Sequence, residues 1–313
     1  MPRGSSPIVR RQRLGAELRR LREHAGLTGE QVVDRVGWAA KSKLSRLENG
    51  RSRPDLADVL DLLDLYQVRG RDRDQLVAIT REAGNTRGWL RAYPVMTQRQ
   101  RGYAELEAGS AEIREYALSI VPGLLQTAEY ARARILSSPE PAPSSPAPHP
   151  AGRAEAVPVQ RAGSAAELPA AQEPDTEVAA RLARQAVLAR QPDPPRYEAV
   201  LDEQAVLGRG APRAVRDGQL AHLSSLMLLP NVTIRVLPRE ACVGPEFVPY
   251  TGFSIYHFSD PEDPETVAVE ALARELVITD RMAVQRYSRV FDWLRAAALD
   301  PIRSRAWLES RLK

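Results

Sequence analysis

Between Arg10 and Ala25, Leu14, Leu18 and Leu21 recur at spacings of four and three, the stripe of an amphipathic helix. Gly26 supplies a C-terminal stop. Thr28, with Gln31 three residues on, forms a capping-box pattern that opens a second helix. Val32, Val33 and Val36 give that helix its apolar face, and Gly37 closes it. A third helix begins near Ala40, turns Leu44 and Leu47 inward, and ends at Asn49-Gly50. Pro54-Asp55 opens a fourth, carrying Leu56, Val59, Leu60 and Leu63, and a fifth spans Asp72 to Ala83. Five short helices in about 75 residues make one small all-α domain.

Beyond Gly84 the pattern changes. Gly88 to Pro94 holds Trp89 and Tyr93, and residues 102–118 are predicted as a helix. Pro122 interrupts it before GLLQTAEYARARIL starts another. Residues 137–175 contain nine prolines and ten alanines with almost no large apolar side chain. Such a segment cannot bury enough surface to offset its ordering entropy, and it reads as a flexible insert. Order resumes near Thr176 with TEVAARLARQAVLAR. Strands follow at Tyr197–Leu201, Val232–Leu237, Gly252–Phe258 and Thr266–Glu270, with a helix at about Arg216–Leu229 between the first two. Residues 281–298 form a long final helix, with a short one near Ser304–Leu312. The fold class expected is α+β overall: a flexible tail at 1–9, a helical domain at 10–83, and an α+β domain from 84–136 and 176–313. That second domain carries a small, mostly antiparallel sheet.

Length and composition fit two domains, 313 residues being long for one. The single cysteine, Cys242, excludes an internal disulfide and any Cys-rich zinc site. No run approaches membrane-spanning length, and the first residues lack the apolar stretch of a signal peptide, so a cytoplasmic protein is expected. The net charge of +4 is unevenly placed. Residues 1–54 hold 13 Lys and Arg against 5 Asp and Glu, whereas the remainder holds 31 against 35. A basic head on a mildly acidic body implies a polyanionic partner for the head.

The third helix localises that partner. With Leu44 and Leu47 inward, Lys41, Ser42, Ser45 and Arg46 face outward near the helix start. Arg can fork onto guanine O6 and N7, and Ser can bond a base edge. Lys43, Arg51 and Arg53 are placed for the phosphate backbone, adding affinity without sequence choice.

The run LTGEQVVDRVG…KSKLSRLENGRSRP resembles the Cro/C1 (Xre) type of helix-turn-helix, over about residues 11–66. The resemblance implies a five-helix, lambda-repressor-like fold in which helices two and three read DNA. It also implies a structural ion pair between Arg22 and Glu48. The turn GWAAKSKLS is one residue longer than the common form, which leaves two registers open for the reading helix. Gly29 stands where many relatives place a DNA-contacting Gln, so the start of helix two, Thr28 and Gly29, would meet phosphate through backbone N–H groups. The rest of the chain, with YAELEAGSAEIREY, VPGLLQTAEYARA, RLARQAVL, LDEQAVL and PNVTIRVLP, resembles the C-terminal domain of actinobacterial regulators related to the WhiJ group. That resemblance implies a possible small partner protein, in arrangements likened to toxin–antitoxin pairs.

Other signals read as structural. PGLLQT is a packed corner in which Thr127 caps the next helix. Trp89, Tyr93, Tyr103 and Tyr116 serve the core as readily as a pocket. His24, His149, His222 and His257 share no metal-ligand spacing, and Cys242 reads as a buried bystander. Asp202-Glu203 with His222 is the one conceivable acid/base grouping. The expectation is a sequence-specific, non-enzymatic regulator of transcription with no cofactor or metal, binding double-stranded DNA as a homodimer on half-sites roughly 34 Å or a multiple apart. Its body would sense an unknown effector or bind a partner. Alternatives are an antitoxin-like interaction protein that autoregulates and, less favoured, an enzymatic C-terminal domain.

Overall fold

A computed structural model describes residues 6–84, 98–137, 174–248, 250–270 and 275–312. Trp89, Tyr93, His149 and most of the Pro/Ala-rich insert lie outside the described residues.

The head consists of α1 (Pro7–His24), α2 (Gly29–Val36), α3 (Lys41–Glu48), α4 (Leu56–Leu65) and α5 (Gly70–Gly84). Its core holds most of the set predicted from periodicity, Leu14, Leu18, Val32, Val33, Leu44, Leu47, Val59 and Leu63, joined by Leu62, Leu76 and Ile79; Leu21 and Val36 pack at its margin, and Leu56 and Leu60 stay half-buried outside it. Asp55 caps α4, its carboxylate accepting from the Ala57 and Asp58 N–H groups. Gly15 fixes how closely α1 crosses α3: a Cβ there would stand 2.6 Å from the carbonyl oxygens of Leu47 and Glu48.

The expected flexible tail is corrected over its last residues. Pro7 occupies the first turn of α1, where its missing N–H costs nothing. Val9 is fully buried, and Ser6 lies against Gly109, where a Cβ would meet the Ser6 nitrogen at 2.5 Å. The apolar partner of Val9 is not in the head. It is Leu106 and its neighbours in the body, which no local periodicity reveals. One helix thus serves two cores, its first turns packing in the body and its last turns in the head.

The body is built on a six-stranded mixed sheet of order β3-β2-β1-β4-β5-β6. The strands are β1 (Ser110–Ala117), β2 (Arg196–Asp202), β3 (Val232–Leu237), β4 (Phe253–Phe258), β5 (Thr266–Glu270) and β6 (Glu275–Ile278). β1–β2 and β2–β3 are parallel, and the other three pairings are antiparallel. The four strands read from the sequence recur within a residue of their bounds. β1 does not: the helix expected over 102–118 ends at Gly109 as α6 (Gln98–Gly109), and SAEIREYA continues as the central strand. Its Ala and Glu residues favour a helix locally, but strands on both sides supply a ladder that outweighs so weak a preference.

One face of the sheet buries Ile113, Tyr197, Ala199, Leu201, Ile234 and Tyr256 under α6, α7 (Ala128–Leu136), α8 (Pro174–Gln185), α10 (Arg213–Leu226) and α12 (Pro301–Ser310). A short helix, α9 (Glu203–Leu207), follows β2. The other face buries Tyr116, Val200, Phe253, Ile255 and Val267 under α11 (Arg281–Ala297), which contributes Val284, Phe291 and Leu294.

Candidate nucleic-acid interface

The α2–turn–α3 unit is shaped by its caps. Thr28 Oγ1 accepts from the Gln31 N–H at 3.3 Å, while Gln31 Oε1 accepts from the Thr28 N–H at 2.8 Å. This reciprocal box consumes the Thr28 N–H expected to meet phosphate, leaving the Gly29 N–H, in the first turn and without an intrahelical partner, for that task. Gly37, at φ +69°, ends α2 in the left-handed conformation. Ala40 is the N-cap of α3, which settles the register: Lys41 is the first helical residue.

In that register Leu44 and Leu47 are buried, whereas Lys41, Ser42, Ser45 and Arg46 are all exposed. They form one outward face with Arg51 and Arg53, exposed in the loop that follows. Arg46, Arg51 and Arg53 have no ion-pair partner among the described residues. Lys41 meets Glu30 at 2.6 Å, an exposed pair of the kind that contributes little and exchanges readily. Lys43 behaves otherwise. It is half-buried, its Nζ 2.6 Å from Asp58 Oδ1 and 4.4 Å above the Trp38 ring, which links α3 to α4.

Beneath this face lies the ionic core of the head. Arg22 donates from Nε to Glu48 Oε1 at 2.6 Å and from Nη2 to Glu48 Oε2 at 3.1 Å, and its Nη1 bonds the Leu27 carbonyl. Arg19 adds a longer contact to Glu48 and donates to Asn49 Oδ1 at 2.9 Å. The guanidinium therefore links α1, the α1–α2 turn and the end of α3.

The basic surplus of residues 1–54 is smaller in space than in sequence. Arg10 pairs with Glu82, Asp260 and Asp263, Arg13 with Asp260, Glu262 and Asp263, and Arg11 with Glu105. These cations anchor α1 to the β4–β5 turn and to α6, so the cations of the head that remain without such partners lie on α3 and its following loop.

The body's candidate groups disperse. PGLLQT is a braced corner: Gln126 Nε2 donates to the Val121 carbonyl, Gln185 Nε2 to those of Gly123 and Gln126, and Gln219 Nε2 to that of Leu125. Thr127 caps α7, accepting from the Tyr130 N–H. Tyr103 and Tyr116 lie on opposite faces of the sheet, Tyr103 against Arg184 and Tyr116 against Phe253. Asp202 accepts from the Gln204 N–H and the Tyr116 hydroxyl, and Glu203 from the Arg239 N–H. Burial alone depresses the His222 pKa, with no carboxylate raising it. Cys242, expected to be buried, is exposed. No group of three or more His, Cys, Asp or Glu that could hold a metal ion occurs among the described residues, and no helix there is long and apolar enough to cross a membrane.

Sequence reasoning missed a buried polar cluster under α6. Arg184 clamps Glu107 with two bonds, from Nε at 3.0 Å and from Nη2 at 2.5 Å, both side chains being less than a tenth exposed. Glu115 lies nearby on β1, accepting from the Tyr197 hydroxyl at 2.7 Å. Burial pushes its carboxyl up to about 7, against the hydrogen bonds of Tyr197 and Ser254. A raised carboxyl means that the folded state holds the proton more tightly than the unfolded chain. Stability is then greatest when Glu115 is protonated and falls as pH rises from the ordinary carboxylate range through about 7. The wild-type urea midpoint is expected to fall between about pH 5 and about pH 8, and Glu115→Gln to remove most of that fall. A variant whose profile overlays the wild type would refute the assignment.

Comparison with known families accords with this division of labour. Residues 13–76 match a helix-turn-helix domain, and residues 100–162 and 154–310 match a domain of unknown function (DUF5753). The chain belongs to the DUF5753 family. In this DUF5753 protein the helix-turn-helix match ends within α5, and the two body segments meet inside the Pro/Ala-rich stretch. No curated protein and no solved structure matches the chain.

Proposed function

We propose that this DUF5753 protein is a sequence-specific regulator of transcription. It reads a DNA major groove with α3, and its body senses an effector or partner. The observation that carries the proposal is the face formed by Lys41, Ser42, Ser45 and Arg46. It is exposed, polar and backed by an apolar core, with Arg51 and Arg53, which have no ion-pair partner among the described residues, alongside. A helix of this kind fits a groove about 12 Å wide. One head buries a small interface, so two heads on a two-fold site supply the needed specificity, and the protein acts as a dimer. The finer kinship with WhiJ-like regulators rests on PGLLQT and its flanking motifs. Its activity is binding rather than catalysis, a reading supported by the separate partners of Asp202, Glu203 and His222.

Selection of bound fragments from random duplexes tests this directly. A recovered symmetric motif supports the proposal, and unselected sequence at moderate salt refutes it. Arg46→Ala is expected to narrow the gap between cognate and scrambled duplex by about 1–3 kcal/mol for each base pair it no longer reads. Equal weakening on both duplexes would place Arg46 on phosphate instead. Arg51→Ala and Arg53→Ala are expected to weaken all sequences alike, each reducing the slope of log K against log salt by about one.

A further inference from the structure

The loop that follows α3, the start of α4 and the last turn of α5 border an open cleft of about 550 Å³. Arg53 lines it from the loop, and Arg81 and Gly84 line it from α5. Both arginines are exposed, and Arg81, like Arg53, has no ion-pair partner among the described residues. The Arg53 guanidinium lies along the end of α5: a Cβ on Gly84 would stand 3.6 Å from its Nε and 3.9 Å from its Nη2. The C-terminal end of a helix carries partial negative charge, which holds the cation there without a carboxylate.

The other polar groups of the cleft are already engaged. Asp55 is the one carboxylate that lines it, and its Oδ1 accepts from the Ala57 and Asp58 N–H groups at 2.9 and 3.4 Å. The positive end of α4 meets that charge. The Thr80 hydroxyl donates to the Leu76 carbonyl. What the cleft offers a ligand is therefore two guanidinium groups, each planar and able to fork onto the oxygens of a phosphate. Cations that share a cleft repel each other until an anion lies between them.

The walls of the cleft are fixed. Next to Arg81, Glu82 pairs with Arg10 at 3.0 Å, and the Ala83 carbonyl accepts from Arg11. These bonds tie the end of α5 to α1, so Arg81 projects from a braced turn rather than a fraying one. The cleft is also continuous with the reading face, because the loop that carries Arg51 and Arg53 leaves directly from the end of α3. A duplex whose groove holds α3 presents a line of phosphates along the groove edge, and these contacts set the register of the protein on it.

We propose that Arg53 and Arg81 together clamp one backbone phosphate of the duplex, so that the nucleic-acid surface of the head extends past α3 and its loop to the end of α5. The clamp rests on the reading proposed above, that α3 enters a DNA groove.

The test is duplex binding by the full chain across a salt series, on cognate and scrambled sequences. Arg81→Ala is expected to weaken both duplexes by the same factor, about three- to tenfold, and to lower the slope of log K against log salt by about one. Arg69→Ala removes an exposed cation beyond the far end of α4 and is expected to keep the wild-type slope. It separates a placed contact from a change in net charge. Replacing backbone phosphates one at a time by neutral methylphosphonates then locates the clamp. At one position in each half-site the wild type is expected to lose about threefold or more, and Arg53→Ala combined with Arg81→Ala to be insensitive there. A wild-type slope for Arg81→Ala, an equal fall for Arg69→Ala, or unchanged methylphosphonate sensitivity in the double variant overturns the clamp and leaves the reading helix in place. A wild type that binds no duplex even at low salt overturns the DNA reading itself, and the clamp with it.

Discussion

Replacing Glu48 with alanine is expected to cost the head about 3–5 kcal/mol, enough to abolish most duplex binding near body temperature. The reason lies in what remains behind. Arg22 is only 15 % exposed and is stripped of both carboxylate bonds, and Arg19 is deprived of its Glu48 partner at the same stroke. What remains to Arg22 is the Leu27 carbonyl and a longer contact to Glu23, an exposed carboxylate that water screens. Urea unfolding followed by circular dichroism, in parallel with duplex binding, reads both consequences. Arg22→Leu combined with Glu48→Leu is expected to recover much of the loss, because two apolar groups leave no charge stranded. A shift of under about 1 kcal/mol for Glu48→Ala would show that water satisfies Arg22 and that the pair is dispensable.

The second large effect is expected in the body. Arg184→Met strands Glu107, which is 4 % exposed, close to Glu115, and should also cost about 3–5 kcal/mol. Because Arg184 is one of the groups that lower the Glu115 carboxyl, its removal raises that group further, and the loss is expected to deepen as pH rises from about 5 to about 8. Glu107→Leu with Arg184→Met removes the stranded charge and is expected to be far milder than the single change. If the double variant is as unstable as the sum of both singles, the two side chains do not act as one clamp.

The two effects differ in how far the sequence announced them. Arg22–Glu48 was legible because it came with a resemblance covering the head, where helices close on themselves over short separations. Thr28, Gln31, Leu44 and Leu47 fall where periodicity and capping patterns put them. Arg184–Glu107 gave no signal: the partners lie 77 residues apart, across a Pro/Ala-rich stretch, on two separate helices of the body. The same distance explains β1. AEIREYA favours a helix when read alone and becomes a strand because β2 and β4, far along the chain, flank it. Charge misled in a related way. Arg10, Arg11 and Arg13 look like part of a nucleic-acid surface until Asp260, Glu262, Asp263 and Glu105 are brought beside them.

By itself the sequence determined the helical head, the outward face of α3, most strands of the body and the α+β class, since each depends on period, caps and turns within a few residues. Only the tertiary structure decided that α1 belongs to two cores, that Lys43 is tied to Asp58 and Trp38, and that Glu115 accepts from Tyr197 beside the Arg184–Glu107 clamp. Each of those depends on which distant side chain arrives within a few ångströms, and burial and unpaired charge then set its energy.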